Sequence, residues 1–278
     1  MARFYLFAIL FLTAMAKQNV DSYSNNFYVI LSTSKFYFNY RHSVNALMIY
    51  QYLKMTGITD DQILLMIPKD HGCTASNPFP GTIYSTKDHD YNWLCHDVEI
   101  DYKAEDLTED TILNMLRGRY SEFFPASKKL RTNSESRIFL YFNGHGGENF
   151  FKIQDTQLMH SDDLAKTFNE MHLKGLYKEV LFILDTCEAA SMFDQVTTPG
   201  IIMVASAAHD ESAIADQTDG DLNTFMADAF SRVLGEFLFE GTYKMNRNFR
   251  ISDFPSFFTY DKTLSTITMK STASRPLD

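Results

Sequence analysis

Five short apolar runs recur along the chain, each closed by polar or turn-forming residues. Phe27 to Ser32 ends in Ser32-Thr33-Ser34, Ile63 to Ile67 is closed by Pro68, and Ile138 to Phe142 by Asn143-Gly144, while Val180 to Leu184 and Ile201 to Ala205 add two more. Continuous apolar runs of this length, rather than alternating ones, suit strands buried on both faces. Between them lie helical patterns at His42 to Met55, stopped by Gly57, and at Ser161 to Leu173, and a third follows the last run at Thr224 to Phe239. Strands alternating with helices predict an α/β fold with a mostly parallel sheet covered on both faces.

Two stretches break the pattern. Asp70 to Leu107 is rich in turn residues and has little periodicity, and Pro125 to Ser136 is polar enough to be an exposed loop. Beyond Gly241 the chain changes character: Lys244 to Arg250 is basic, and Phe254 to Thr268 carries Phe, Thr and Ser at strand-like spacing, with a frayed end near Ser271 to Asp278. One domain is therefore expected over residues 25–241, with residues 242–278 as a C-terminal tail or appendage. Phe254, Phe257 and Phe258 in that tail are expected either to dock a partner or to pack a small core of their own.

Composition narrows the function. With 278 residues and 45% hydrophobic side chains, the chain can bury one substantial core. A net charge of −10 without a basic cluster gives no footprint for a phosphate backbone, so nucleic acid is not an expected partner. Residues 1–16 read as a secretory signal: Arg3 is the positive start, Phe4 to Leu12 the apolar stretch and Ala14-Met15-Ala16 the small-residue cleavage site. Secretion places Cys73, Cys95 and Cys187 in an oxidising compartment, where an odd count leaves a free thiol or an intermolecular bridge. Cys187 is the candidate for the free thiol. Cys73 can pair with Cys95, or either can bond another subunit. His71, Cys73, Cys95 and His96 lack the paired spacing of a closed zinc site.

The candidate chemistry sits at two strand ends, in Asn143-Gly144-His145-Gly146-Gly147 and Asp185-Thr186-Cys187-Glu188-Ala189. Open parallel sheets bind ligands beyond the carboxyl ends of their strands, and both segments fall there. An imidazole beside a thiol accepts its proton or stabilises the thiolate, which makes a nucleophile with a proton shuttle. The glycines let backbone come close to a substrate, and the Gly146 N–H is the candidate donor to a developing oxyanion. Taken singly, each residue has an ordinary reading: a strand-end Cys is commonly a small buried hydrophobe, and a lone His a hydrogen-bonded structural residue. Joined by strand topology and a secretory signal, they point to acyl transfer from an amide.

These words, with Phe38-Asn39-Tyr40-Arg41-His42, Asp97-Val98-Glu99-Ile100-Asp101-Tyr102 and Ala190-Ser191-Met192, occur in an order that resembles the glycosylphosphatidylinositol (GPI)-anchor transamidases of the legumain-like cysteine peptidases, family C13. The resemblance runs from about Asn26 to Leu238. It implies a caspase-like fold, with His145 as base, Cys187 as the nucleophile that forms a thioester with a precursor protein, and Asn39 orienting the imidazole as a third group does in triads generally. It also implies a structural calcium at Asp60, Glu99, Asp101 and the Ile63 carbonyl, a donor set suited to a hard cation. No cofactor is implied for the chemistry itself. Cys73 stands where the family has a cysteine bridging to a partner subunit.

The same resemblance implies a lumenal enzyme of the endoplasmic reticulum. Its substrates would be a precursor's C-terminal peptide and a GPI glycolipid, whose ethanolamine amine resolves the thioester. Longer members end in a transmembrane helix after a lumenal tail; the sequence stops short of that segment, and membrane association is expected through other transamidase subunits. Departures exist. Glu188-Ala189 replaces the usual Gln-Gly, and since a carboxylate aimed at Cys187 would raise the thiol pKa, Glu188 is expected to point away. Cys95 stands where glycine is common, which leaves a Cys73–Cys95 bridge open. The competing reading is a legumain-type asparaginyl endopeptidase with water as acceptor. Gly144, where those enzymes usually have Asp, and Asp185-Thr186, where they have Glu-Ala, favour the transferase. An inactive binding module keeping only the fold is the third reading, and the presence of both reactive residues disfavours it.

Overall fold

In this computed structural model residues 25–94, 98–243 and 251–274 are described. The apolar runs do form strands: β1 (Asn26–Ser32), β2 (Ile63–Met66), β3 (Arg137–Asn143), β7 (Glu179–Asp185) and β8 (Ile201–Ala205), joined by a C-terminal strand β11 (Thr268–Ser271). They build one six-stranded sheet in the order β11-β8-β7-β3-β1-β2. Every pairing is parallel except that of β11 with β8.

Both faces are covered, which is why the runs are apolar without alternation. Tyr28 and Ile30 of β1, Phe139 and Tyr141 of β3 and Leu181 and Ile183 of β7 face one core with helices α1 (Tyr40–Met55) and α4 (Ala229–Tyr243). Their neighbours Val29, Leu140 and Phe182 face a second core with α2 (Glu109–Leu116) and α3 (Ser161–Leu173). Phe182 packs edge-on against Phe142, Phe168 and Phe193, so Phe182→Ala would cost about 3–5 kcal/mol in lost burial and cavity. Thr108 caps α2 by accepting from the Thr111 N–H at 3.1 Å. Among the described residues no helix is long and apolar enough to cross a membrane. The secretory signal lies outside the described residues.

The structure differs from the sequence expectations in two places. Thr224 to Phe239 is not one helix: Thr224–Asp228 forms strand β10, paired antiparallel with β9 (Ala215–Asp219), and α4 begins at Ala229. Cross-strand pairing overrides the helical periodicity there. The tail, expected to be an appendage at strand-like spacing, is instead two short helices, α5 (Phe254–Phe257) and α6 (Tyr260–Thr263), followed by β11 in the main sheet. Phe254 and Phe258 are buried in the α1/α4 core, stacked at 4.6 Å and packed on Phe237. Their place is in the domain's own core because α4 has an apolar face to cover. A small sheet of β4 (Gly146–Gly147), β5 (Phe150–Ile153) and β6 (Gln157–His160) follows β3 at the carboxyl rim.

Candidate active site

Three adjacent strands deliver the candidate residues to one rim. β1 leads, through a turn after Ser34, to Asn39 at the start of α1; β3 leads to His145; β7 leads to Cys187. Register sets the strand ends before the last two side by side, because Ser32, Asn143 and Asp185 stand abreast, and each reactive residue follows two positions after its strand end. The Gly144 N–H donates to the Asp185 carbonyl at 3.2 Å, which ties the two loops together. Glycine is required where they touch: a Cβ at Gly146 would lie 2.6 Å from Thr186 Oγ1 and 2.8 Å from the Phe150 carbonyl oxygen, and one at Gly144 would lie 2.0 Å from Thr33 Oγ1.

The His145 imidazole is bound through Nε2 to Asn39 Oδ1 at 2.8 Å. An amide oxygen only accepts, so Nε2 carries the proton and Nδ1 keeps the lone pair. Burial and then the Arg41 charge lower the His145 pKa below 6.5, which keeps the ring neutral and basic near pH 7. Cys187 and His145 are both half-buried, whereas Asn39 is fully buried. Gly146 stands in β4 opposite Phe151. Glu188 has a left-handed backbone (φ +51) and donates its N–H to the Glu211 carbonyl at 2.8 Å. Its carboxylate charge is felt by His209, whose pKa is raised first by hydrogen bonding to Asp194 and less by Glu188.

Beneath the rim lies a buried polar frame that the sequence reading did not assign. Arg41 Nε donates to Asp228 Oδ1 at 2.9 Å, Asn45 Nδ2 to Asp228 Oδ2 at 2.6 Å, and His42 Nε2 lies 3.4 Å from the same Oδ2. His42 Nδ1 meets Ser34 Oγ at 2.7 Å, and its ring stands edge-on to His145 at 5.0 Å. Burial, then the charges of Arg41 and His145, push the His42 pKa well below the ordinary range, so it is a neutral spacer. Asp185 accepts from Ser231, which also bonds Tyr141. Burial raises both Asp185 and Asp228, and the Asp228 charge raises Asp185 further, against opposing donors and Arg41. Asn39 Nδ2, Asp185 Oδ1 and Thr186 Oγ1 are buried with no hydrogen-bond partner among the described residues.

Arg41 and His42 stand two and three positions after Asn39 in sequence, and that closeness was the available signal. Asp228 offered none, since it lies 183 residues from Asn45 and inside a segment that reads as helical.

The other candidates lie elsewhere. Asp60 precedes β2, its oxygens held by Tyr50 OH at 2.6 Å and by Lys54. Asp101 accepts from the Leu65 N–H at 2.8 Å, and Glu99 is exposed. Burial, then the charges of Glu99 and Asp60, push Asp101 up to about 7 against the Leu65 N–H and Lys128. These oxygens fit a hard cation chemically. As placed, with Lys54 on Asp60, they do not form a ligand sphere: among the described residues no three His, Cys, Asp or Glu are spaced to hold a metal ion. Cys73 is exposed and unbonded, with its pKa raised by a hydrogen bond to Asp70 and then by that carboxylate's charge. Cys95 lies outside the described residues, and so does the Cys73–Cys95 alternative.

Comparison with known proteins adds to this geometry. The sequence model of the peptidase C13 family matches residues 26–237. The GPI-anchor transamidase of Saccharomyces cerevisiae is 36% identical over 250 residues, covering 90% of this chain and 60% of that protein. Those of Schizosaccharomyces pombe and Homo sapiens are 39% and 38% identical over 218 and 220 residues, covering 78% and 79% of this chain and 57% and 56% of those proteins. The chain thus spans little more than half the length of these relatives.

Proposed function

The chain belongs to the peptidase C13 family, and from that premise we propose that it is the thiol-bearing part of a GPI-anchor transamidase. The observation that carries the reading is the Asn39–His145 hydrogen bond at the rim where β7 delivers Cys187. In this reading His145 Nδ1 takes the Cys187 proton as Sγ attacks the carbonyl carbon at the precursor's attachment site. The C–S bond forms and the scissile C–N bond breaks. The departing amine takes its proton from the imidazolium, leaving a thioester. The ethanolamine amine of the glycolipid then forms the new C–N bond, and Cys187 leaves with a proton returned through His145. The Gly146 N–H is assigned to the oxyanion, and Asn39 fixes the ring so that Nδ1 faces the sulfur.

The names of the relatives support the substrates, a GPI glycolipid and a precursor protein, and with them a lumenal place at the endoplasmic reticulum membrane beside partner subunits. The exposure of Cys73 supports a disulfide to one of those subunits. Structural calcium beside β2 belongs to the proposal as well, supported only by the oxygen chemistry of Asp60, Glu99 and Asp101, which would have to draw together to hold it.

The test offers the assembled protein a precursor peptide with hydrazine as an amine surrogate. Hydrazide product is expected, and it disappears in Cys187→Ala. Free acid alone would turn the reading toward a legumain-type peptidase, and normal transfer by Cys187→Ala would remove the site altogether. A Cys73→Ser variant is expected to lose a covalent band on non-reducing gels.

A further inference from the structure

The segment that looked like an appendage reaches both sides of Cys187. Ser265, buried after a left-handed turn at Leu264, donates through Oγ to the Ser206 carbonyl at 2.6 Å. The Ser206 hydroxyl grips the residue before the cysteine twice, accepting from the Thr186 N–H at 3.1 Å and donating to the Thr186 carbonyl at 3.3 Å. On the other flank, Thr266 donates its N–H to Glu211 Oε2 at 2.7 Å and its hydroxyl to Oε1 at 2.8 Å. Glu211 in turn accepts the Glu188 N–H on its own carbonyl at 2.8 Å. Lys270, on β11, donates to the Phe193 and Asp194 carbonyls at 2.7 and 3.0 Å. Those carbonyls end the 3-10 turn (Ala189–Phe193) that begins just after Glu188, where a cation is also favoured by the backbone dipoles.

This arrangement answers a local need. Glu188 holds a left-handed conformation that an L side chain with a Cβ disfavours, and such residues persist only when their surroundings over-determine them. Its carbonyl is taken by Ser191 Oγ at 2.7 Å and its N–H by Glu211. The sheet supplies the rigidity, since β11 is in register with β8 from Thr268↔Ala205 to Ser271↔Ile202.

Resting on the reading of Cys187 as nucleophile, we infer that residues 263–272 are a positioning clamp for the cysteine loop. Ser265 and Thr266 hold its two flanks through Ser206 and Glu211, while Lys270 fixes the turn beyond. The clamp touches no substrate. It sets the height of Sγ against the His145 imidazole, and misplacement of a reacting atom by about 1 Å costs on the order of 10² in rate.

The experiment uses the full chain in its assembled complex. Thr266→Val and Lys270→Met are made singly and together, with Thr266→Ser and Lys270→Arg as conservative partners. Transfer to hydrazine is measured as kcat and KM, and alkylation of Cys187 by iodoacetamide is followed by peptide mapping. Each single variant is expected to lower kcat roughly tenfold and the pair on the order of 10²-fold, with KM little changed and Cys187 alkylation slowed. The conservative partners are expected to restore kcat. Wild-type kcat in the double variant, or loss confined to KM, overturns the clamp. If the double variant does not fold, the single variants decide by the same criterion. Retained activity in Cys187→Ala would instead overturn the reading on which the clamp rests, so the two failures are separable.

Discussion

Two groups of carboxylates flank the same sheet under opposite conditions. At the centre of the carboxyl rim, Asp185 and Asp228 are buried and tied into a frame by Arg41, Asn45 and Ser231. Beside the edge strand β2, Asp60, Glu99 and Asp101 are half-buried or exposed; Lys54, itself partly in solvent, pairs with Asp60, and the Lys128 charge acts on Asp101. A planar guanidinium held at fixed angles makes a frame, whereas an ammonium on a flexible stem makes a replaceable counter-ion. An exposed pair of the second kind is worth only about 0–1 kcal/mol. The centre thus holds a fixed geometry, and the edge carries a looser ion pair.

The strongest way to break the comparison is to remove chemistry at one place and charge at the other. His145→Ala is expected to slow thioester formation roughly 10²–10⁴-fold with an unchanged thermal midpoint, while Asp60→Asn leaves the rate intact. Equal rate losses in the two variants would erase the distinction. Next in size is Asp228→Ala, which strands the Arg41 guanidinium in the interior. A stability loss of about 3–5 kcal/mol is expected from urea unfolding, and a surface-like value would mean that the frame is slack.

Asn39→Ala sharpens the picture at the centre. It frees the His145 ring, so kcat should fall on the order of 10²-fold while the midpoint of the acid limb, set below 6.5 by burial and Arg41, moves little. The sign follows from the role: the base works when neutral, so activity is lost as pH falls through the folded-state value. A limb centred above 6.5 would contradict it. The smallest effect belongs to the edge. The Asp101 carboxyl is raised from 3.8 to about 7 in the folded chain, so between those values the native state binds a proton that the unfolded state has released. Stability therefore falls as pH rises through that window. Asp101→Asn should flatten the fall, and calcium should raise the thermal midpoint of the wild type but not of the variant. A midpoint indifferent to calcium removes the ion from the proposal.

What the sequence disclosed follows from how local each signal is. Asn143-Gly144 and Asp185-Thr186 end apolar runs within a few residues, so the parallel sheet and the rim carrying His145 and Cys187 were legible before any coordinates. Asn39 was reachable only through the ordered motifs, since no periodicity marks a residue 106 positions from its partner. Asp228 was hidden because five residues of strand β10 run into α4 and read as one helix. Residues 263–272 read only as part of an appendage at strand-like spacing for a related reason: nothing local to Ser265, Thr266 and Lys270 names a partner until β8 provides an edge for β11 and Glu211 an acceptor for Thr266.

The strand order has a consequence for the life of the molecule before it is finished. Asn39, His145 and Cys187 come from β1, β3 and β7, which are neighbours in space and far apart in the chain. Local structure alone cannot bring any two of them together, and pairings of such long sequence separation form late and slowly. On the reading of Cys187 as nucleophile, a chain still emerging from synthesis, or one partly melted, carries that thiol without the base that would take its proton. The pair meets only when the sheet is complete.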